Sequence, residues 1–464
     1  MGSDWKDAKL GDYIDSCLGK MLDKNKNTGE FHPYLGNSNV RWGAFELDEL
    51  SEMKFESHEH ERYGIKKGDL IVCEGGEPGR CAIWNEDVPD MKIQKALHRV
   101  RTLAGLDGDY LYYWFLFSAR AGHIDPYFTG TTIKHLTGKA LKELPIKIPP
   151  MRYQQEAAKL LRGFDNKITL NRQINQTLEQ MAQTLFKSWF VDFDPVMDNA
   201  LDAGNLIPDE LQHRAEARKA VRESEGFKPL PEDVRQLFPD AFEESELGWV
   251  PKGWEVKKIS DFGSVICGKT PSKKIPEYYG SDVPFLKIPD MHGNVFVVKT
   301  TDKLSYKGSN SQVKKLIPKD SISVSCIATV GLVSISTEPM HTNQQINSIV
   351  PNQPRFRDYL YFSMKEKRKQ FHDLASGGST TLNMNTGVFS RVSVLKPSDA
   401  ILDMFQTQSS GLLERIKLSS TESESLAALR DTLLPKLISG ELRLDDIELA
   451  VEQEAVSAEQ QNER

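Results

Sequence analysis

The chain has 464 residues, 39% of them hydrophobic and 27% charged, with a formal net charge of −7. That length is more than one ordinary core absorbs, so two or three globular domains are predicted. No apolar run approaches the roughly 18 residues that cross a membrane, and the start, Met1-Gly-Ser-Asp-Trp5, lacks a basic-then-apolar leader; the expected location is cytoplasmic.

Five scattered cysteines (Cys17, Cys73, Cys81, Cys267, Cys326) include no Cys-x-x-Cys pair, which argues against a disulfide framework and a structural zinc site. The charge is unevenly placed. Residues 254–397 hold 20 Lys and Arg against 11 Asp and Glu, whereas 196–247 hold 6 against 13 and 441–464 hold 2 against 8. Binding of a polyanion follows the local field rather than the total. The basic segment therefore keeps a nucleic-acid partner open, although a solvated lysine-rich surface would look the same on charge alone.

In chain order, residues 1–150 are short β-rich runs punctuated by Gly, Pro, Asn and Asp, the pattern of a compact mixed α/β domain. A long helical pattern follows over 151–195. There Ala157, Leu161, Phe164, Ile168, Asn171, Asn175, Leu178, Ala182, Leu185 and Trp189 alternate at spacings of four and three, a heptad seam. Residues 196–247 read as an acidic connector punctuated by proline. Residues 248–397 return to the β-rich pattern. Residues 398–445 are helical again, with a seam of Phe405, Ser409, Leu412, Ile416, Ser419, Ser423, Leu426, Arg430, Leu433 and Leu437. The acidic, glutamine-rich end, 446–464, is expected to be disordered.

The second half thus repeats the first, at an offset of 248 to 251 residues. Trp5-Lys-Asp-Ala-Lys-Leu-Gly-Asp-Tyr13 aligns with Trp254-Glu-Val-Lys-Lys-Ile-Ser-Asp-Phe262, and Asp109-Tyr-Leu-Tyr-Tyr113 with Asp358-Tyr-Leu-Tyr-Phe362. Gly130-Thr-Thr-Ile133 meets Ser379-Thr-Thr-Leu382. Two such seams are buried against each other or against a partner, and a pseudo-twofold arrangement pairs them antiparallel. A helix of about 40 residues spans roughly 60 Å, too long to pack back on one such domain. The predicted fold class is mixed α/β: two repeated globular domains separated by two long antiparallel coiled-coil helices.

This organisation resembles the specificity subunits of type I restriction-modification systems, in which two target-recognition domains alternate with two spacer helices. Gly268-Lys-Thr-Pro-Ser-Lys-Lys-Ile-Pro-Glu-Tyr-Tyr-Gly-Ser-Asp-Val-Pro-Phe-Leu-Lys-Ile-Pro-Asp290 looks like the opening motif of one recognition-domain class, and Gly378-Ser-Thr-Thr-Leu-Asn383 like its late motif. Phe186-Lys-Ser-Trp-Phe-Val-Asp-Phe-Asp-Pro195 and Leu433-Leu-Pro-Lys-Leu-Ile-Ser-Gly-Glu-Leu442 look like spacer-helix ends. The resemblance covers residues 5 to about 445. The first domain departs most, since Gly19-Lys-Met-Leu-Asp-Lys-Asn-Lys26 keeps only the Gly-Lys of the opening. The resemblance implies that domains 1–150 and 248–397 each read one half of a bipartite double-stranded DNA target and that the helices set the half-site spacing. It further implies docking of two methyltransferase subunits, recruitment of nuclease-translocase subunits, and a non-catalytic chain whose partners bind S-adenosylmethionine and ATP.

In the basic domain, Lys269, Lys273, Lys274, Lys287, Lys314 and Lys315 suit phosphate contacts, with Thr270 and Tyr278 in the same opening segment. Asn343, Gln344 and Gln345 suit bidentate hydrogen bonds to adenine. The repeat sets Gln94, Lys95 and Ala96 opposite them, different chemistry at matching places. Thr380, Thr381, Asn383 and Asn385, opposite Thr131, Thr132, Lys134 and His135, form a second set. Lys20, Lys24, Lys26, Arg41 and Trp42 complete the first-domain candidates. For each, the alternative is an ordinary exposed polar residue. The apolar seam is expected from Leu161, Phe164, Ile168, Leu178, Leu185, Leu412, Ile416, Leu426 and Leu433. Phe186, Trp189, Phe190, Leu434, Leu437 and Ile438 exceed what one two-helix seam buries, and either pack on the adjacent domains or dock methyltransferase subunits.

Enzyme signals are weak. Gly263-Ser-Val-Ile-Cys-Gly-Lys-Thr270 satisfies the P-loop pattern. That motif needs a helix starting at the lysine, and Pro271, Pro276 and Gly280 break the stretch. Ser57-His-Glu-His60 has no third metal ligand nearby. No Asn/Asp-Pro-Pro-Tyr methyltransferase motif occurs, so no catalytic residue and no metal is expected. The alternative function is a coiled-coil adaptor with two protein-binding domains, which would show no salt-dependent affinity for duplex DNA.

Overall fold

The computed structural model describes residues 5–23, 27–376 and 382–442; Lys24, Lys26, Thr380, Thr381 and the tail 446–464 lie outside them. The chain divides into two compact units. One holds the chain up to Ile168 and from Leu426 onward, the other Thr169–Ser425. The two long helices, Met151–Phe190 and Asp399–Ser439, therefore give a segment to each unit.

In the first unit a four-stranded antiparallel sheet runs in the order Ile14–Leu18, Leu97–Thr102, Leu70–Cys73, Cys81–Ile83. Leu70–Cys73 reads Leu-Ile-Val-Cys and is buried at all four positions, as its β-branched, apolar composition favours. A three-stranded sheet (Ser51–Phe55, Glu30–Leu35, Lys92–Ile93), the pair Lys6–Lys9 with Pro145–Ile148 and the short pair Val40–Arg41 with Ala44–Phe45 complete the strands. Helix Gly108–Arg120 begins where the Asp107 side chain accepts the Tyr110 amide. Tyr110, Leu111, Tyr113, Phe115 and Leu116 are buried almost all round it, because one side covers the sheet and the other receives the long helices. One core joins Val72, Val100 and Phe115 to Leu161, Leu434, Leu437 and Ile438.

The second unit repeats this plan. Its sheet runs Gly263–Cys267, Ile346–Pro351, Ile322–Ser325, Val333–Ser336, extended by Phe296–Val297. Even the register repeats. Leu97 opposes Cys73 and Val100 opposes Leu70 in the first sheet, as Ile346 opposes Ser325 and Ile349 opposes Ile322 in the second. Helix Phe356–Glu366 sets Tyr359 and Phe362 against Phe186, with Phe405 completing the cluster. The segment 196–247 is more than a bare connector. Helices Asp194–Ala203 and Gln212–Arg222 pack through Met197, Ala200, Leu211 and Ala215, and Arg218 and Arg222 pair with Asp198 and Asp202.

Within each unit the long-helix segments run antiparallel. In the first, Tyr153 donates to Leu437 O at 2.9 Å while Arg430 meets Asp165 at 2.5 Å. In the second, Asn171 donates to Glu422 at 2.8 Å and Asn175 to Ser420 at 3.1 Å, while Phe186 lies 5.9 Å from Phe405 between ring centroids. Leu161, Ile168 and Ile416 are buried, and Phe164, Leu178, Leu185, Leu412, Leu426 and Leu433 are half-buried. Leu413 and Leu434, each one residue on, take the sealed positions expected of Leu412 and Leu433. A straight helix drifts against a strict heptad, and each segment also covers a globular domain. That second contact corrects the docking expectation. Phe186, Trp189, Phe190, Leu434, Leu437 and Ile438 are all buried inside their own units, which leaves them no face for a partner subunit. Among the described residues no helix is long and apolar enough to cross a membrane.

Two histidines are sealed in these cores. His98 Nε2 lies 2.8 Å from Leu136 O, and His341 Nε2 lies 2.9 Å from Ser309 Oγ. Burial holds both below the ordinary histidine range. The unfolded chain then binds more protons than the folded one at mildly acidic pH, so stability rises with pH there. It is fully present above the unfolded value of about 6.5 and is lost as pH falls toward the depressed folded values. Urea unfolding between pH 7.5 and 5 is expected to show this loss, and His98→Asn to flatten the curve relative to wild type.

Candidate nucleic-acid interface

One end of each main sheet is closed by the same three backbone links. In the first domain Lys20 N donates to Ile93 O at 3.1 Å, Glu74 N to Ala96 O at 2.8 Å, and Leu136 N to Glu74 O at 2.7 Å. In the second, Lys269 N donates to Thr342 O at 2.9 Å, Cys326 N to Gln345 O at 2.8 Å, and Met384 N to Cys326 O at 2.8 Å. Four segments distant in sequence are thereby gathered into one rim, and matched positions correspond across the repeat: Lys95 with Gln344, Ala96 with Gln345, His135 with Asn383.

The second rim presents exposed Lys269, Gln344 and Asn383, with exposed Lys273 and Lys274 in the following loop. Thr270 donates to the Gln344 carbonyl, and Tyr278 is half-buried. Among the described residues Lys269, Lys273 and Lys274 have no ion pair, so their charge is available to a polyanion. On the first rim Gln94, Lys95 and His135 are half-buried, and Thr131, Thr132 and Lys134 are exposed. Lys134 sits 5.8 Å from the Phe128 ring centroid.

Several candidates are committed elsewhere. Lys20 is 4% exposed, with its ammonium 2.5 Å from Glu59 and 2.9 Å from Lys54 O, so it holds the domain together rather than meeting a phosphate. Lys287 is engaged by Asp302. Asn343 is buried, accepting the Gln345 amide and donating to the Gln345 carbonyl at 3.0 Å; it shapes the turn instead of reading a base. Asn385 caps helix Thr386–Ser390 by accepting the Val388 amide. Arg41 forms a two-pronged pair with Glu46, and Trp42 donates to Glu77 at 2.7 Å. No helix begins at Lys269: Gly263–Cys267 is a strand and the next element is a single short turn of helix at Pro276–Tyr278, which removes the phosphate cradle a P-loop needs. Among the described residues no group of three His, Cys, Asp or Glu is placed to hold a metal.

Sequence reasoning missed the turn at the rim's centre, Glu74-Gly-Gly-Glu-Pro-Gly79 and its counterpart Cys326-Ile-Ala-Thr-Val-Gly331. Gly76 and Ala328 occupy the same place, with φ of 74° and 62°. An alanine in the left-handed region is strained. Ala328→Gly is expected to stabilise the chain by roughly 0.5–1 kcal/mol. Gly76→Ala should destabilise it by more, because the added Cβ would stand 2.7 Å from Asn37 Nδ2. Urea unfolding of the two variants checks both signs.

Comparison with known proteins gives a consistent picture. The family model described as the type I restriction modification DNA specificity domain matches residues 2–180 and 251–422, one stretch for each half of the repeat. The chain is 38% identical to the type I restriction enzyme HindI specificity subunit of Haemophilus influenzae, over 95% of this chain and all of that one. It is 25% identical to the MjaIX specificity subunit of Methanocaldococcus jannaschii, over 82% of this chain and 79% of that one. A crystal structure of the type I restriction-modification S subunit from M. genitalium superposes with a TM-score of 0.53 at 15% identity, covering 94% of this chain and 97% of that one; it supports the same fold.

Proposed function

The chain belongs to the family of type I restriction-modification specificity subunits, and we propose on that premise that its two rims each read one half of a bipartite duplex DNA target. The observation that carries this reading is the matched pair of rims. Three identical backbone links present Lys95, Ala96 and His135 in one domain and Gln344, Gln345 and Asn383 in the other. A shared frame with different side chains is what two readers of different half-sites require. Exposed Lys269, Lys273 and Lys274 supply phosphate contacts in the second domain. The chain acts as a scaffold: methyl transfer, with its S-adenosylmethionine, and ATP-driven cleavage belong to partner subunits. The long helices set the distance between half-sites.

With the six helix-end residues buried, methyltransferase docking falls to a different face. Leu170 and Met181 are 49% and 53% exposed, and Leu418 and Leu429 are 55% and 47% exposed. Each pair is 11 residues apart, about three helical turns, and each member of one pair lies 248 residues from its counterpart in the other. Leu170 and Met181, both within one unit, offer a partner an exposed apolar pair on the first long helix.

Exchanging residues 248–397 for the corresponding domain of another family member tests the reading. Genome-wide methylation mapping should show one half-site changed and the other kept; a change in both, or in neither, rejects it. Replacing Lys269, Lys273 and Lys274 together with Gln should weaken binding about equally for target and non-target duplexes. The slope of log affinity against log salt should become shallower by up to roughly 2.7, at about 0.9 for each phosphate that is no longer neutralised.

A further inference from the structure

The first domain carries a second cationic cluster, on its three-stranded sheet. Lys92 lies opposite Tyr34 in the parallel pair of strands. It is 3% exposed, yet its ammonium makes no hydrogen bond or ion pair among the described residues. On the neighbouring strand His32 has an Nε2 atom that is buried without a partner, and its ring meets that of His60 edge-on at 4.6 Å. Burial, the charge of Lys92 and then that of His60 hold His32 below the ordinary histidine range, with Asp90 and Glu30 acting more weakly in the other direction. Burial likewise lowers Lys92, offset in part by Asp90. The nearby Glu59 is occupied by Lys20. Gly64 bridges to Lys92, and a Cβ there would stand 3.9 Å from the ammonium.

The second domain shows the same position closed. His341, 249 residues after Lys92, is fully buried between Ser309 Oγ at 2.9 Å and Gln312 Nε2 at 3.4 Å. One copy of the fold satisfies this place internally; the other leaves a partly desolvated cation, its ammonium still reached by solvent, without a protein acceptor among the described residues. A tetrahedral oxyanion provides acceptors for Lys92 and for an N–H at His32 Nε2 together.

We propose that Lys92, His32 and His60 form a phosphate-binding site of the first domain, and that the group it holds is a backbone phosphate of the DNA beside that domain's half-site. The second clause rests on the DNA-reading function proposed above. Lys92 is two residues before Gln94 on the rim turn. Lys20 is spent on Glu59, so the site adds positive charge to that of Lys95 and Lys134 on the first rim.

Two measurements on the full chain separate the clauses. In thermal melting at fixed ionic strength, inorganic phosphate replacing chloride should raise the Tm of wild type saturably and leave that of Lys92→Met unchanged. In DNA binding by the chain assembled with its methyltransferase subunit, Lys92→Met should lower the salt slope by about one. Lys92→Met removes a buried cation at similar volume and is expected to melt higher than wild type in chloride; His32→Gln is the second variant, expected to weaken the phosphate response. A phosphate response with an unchanged salt slope overturns the DNA clause and makes this a site for free phosphate. No phosphate response in wild type overturns the site. If wild type shows no salt-dependent DNA binding, the DNA-reading function fails, while the melting arm still decides the site.

Discussion

Each unit depends on one seat: an aromatic helix lodged on paired long-helix segments and pinned there by a tyrosine. Tyr113 donates to Asp165 at 2.7 Å, and Asp165 also receives Arg430 at 2.5 Å. Tyr361 donates to Glu179 at 2.6 Å, and Glu179 also receives Lys365 at 2.5 Å. Burial raises both phenols far above their usual range, so they remain donors at any working pH. Losing such a donor beside a partly buried carboxylate costs about 1–3 kcal/mol. The sheet, and the rim at its end, inherit their position from this contact, because the helix that covers the sheet is the one that is pinned.

The seat also breaks the symmetry of the repeat. Tyr113 and Tyr361 are equivalent at an offset of 248, but both carboxylates lie on the first long helix. The counterparts of Asp165 and Glu179 on the second helix are Leu413 and Ala427. The tyrosine anchors of the duplicated chain thus both fall on the first long helix, while the second contributes different polar contacts to the aromatic helices, Asp431 accepting from Arg120 and Ser409 donating to Asp358, each at 2.7 Å. The polar layer between the helix segments adds a second constraint. Asn171 is 1% exposed and donates within reach of Ser419, Glu422 and Ser423. A slip of either segment would set that amide against apolar seam residues, so the layer favours one register at some cost in stability.

The repeat, the two helices and the matching of Gln94–Ala96 with Asn343–Gln345 were legible in the sequence because period and offset survive substitution. What was hidden depends on partners far away in the chain. Nothing near Lys20 announces Glu59, 39 residues on, which buries its charge. Asn343 is the local exception, because its amide closes on Gln345 only two residues on, a side-chain turn of the kind asparagine favours. The surplus of apolar residues at the helix ends was correctly read as needing cover, but a seam pattern cannot say which surface provides it; the adjacent domain does. The acidic count of 196–247 likewise concealed internal pairing, since Asp198 and Asp202 are matched by arginines on the next helix. Composition counts charges without knowing which of them meet.

The rim shows why one fold can serve two readings. Its three links are all backbone to backbone, and a backbone link places no demand on the side chain that projects from it. Lys95 can become Gln344, and His135 can become Asn383, without touching the hydrogen bonds that hold the turn. Where a side chain does enter the frame, the freedom ends: Lys20 and Asn343 sit at rim positions but are consumed by structure, and Ala328 is held in a conformation that its counterpart Gly76 adopts without strain. Variation in specificity should therefore collect at positions whose side chains are outside the frame. The residues that build the frame, whatever their polarity, are poor candidates for reading DNA.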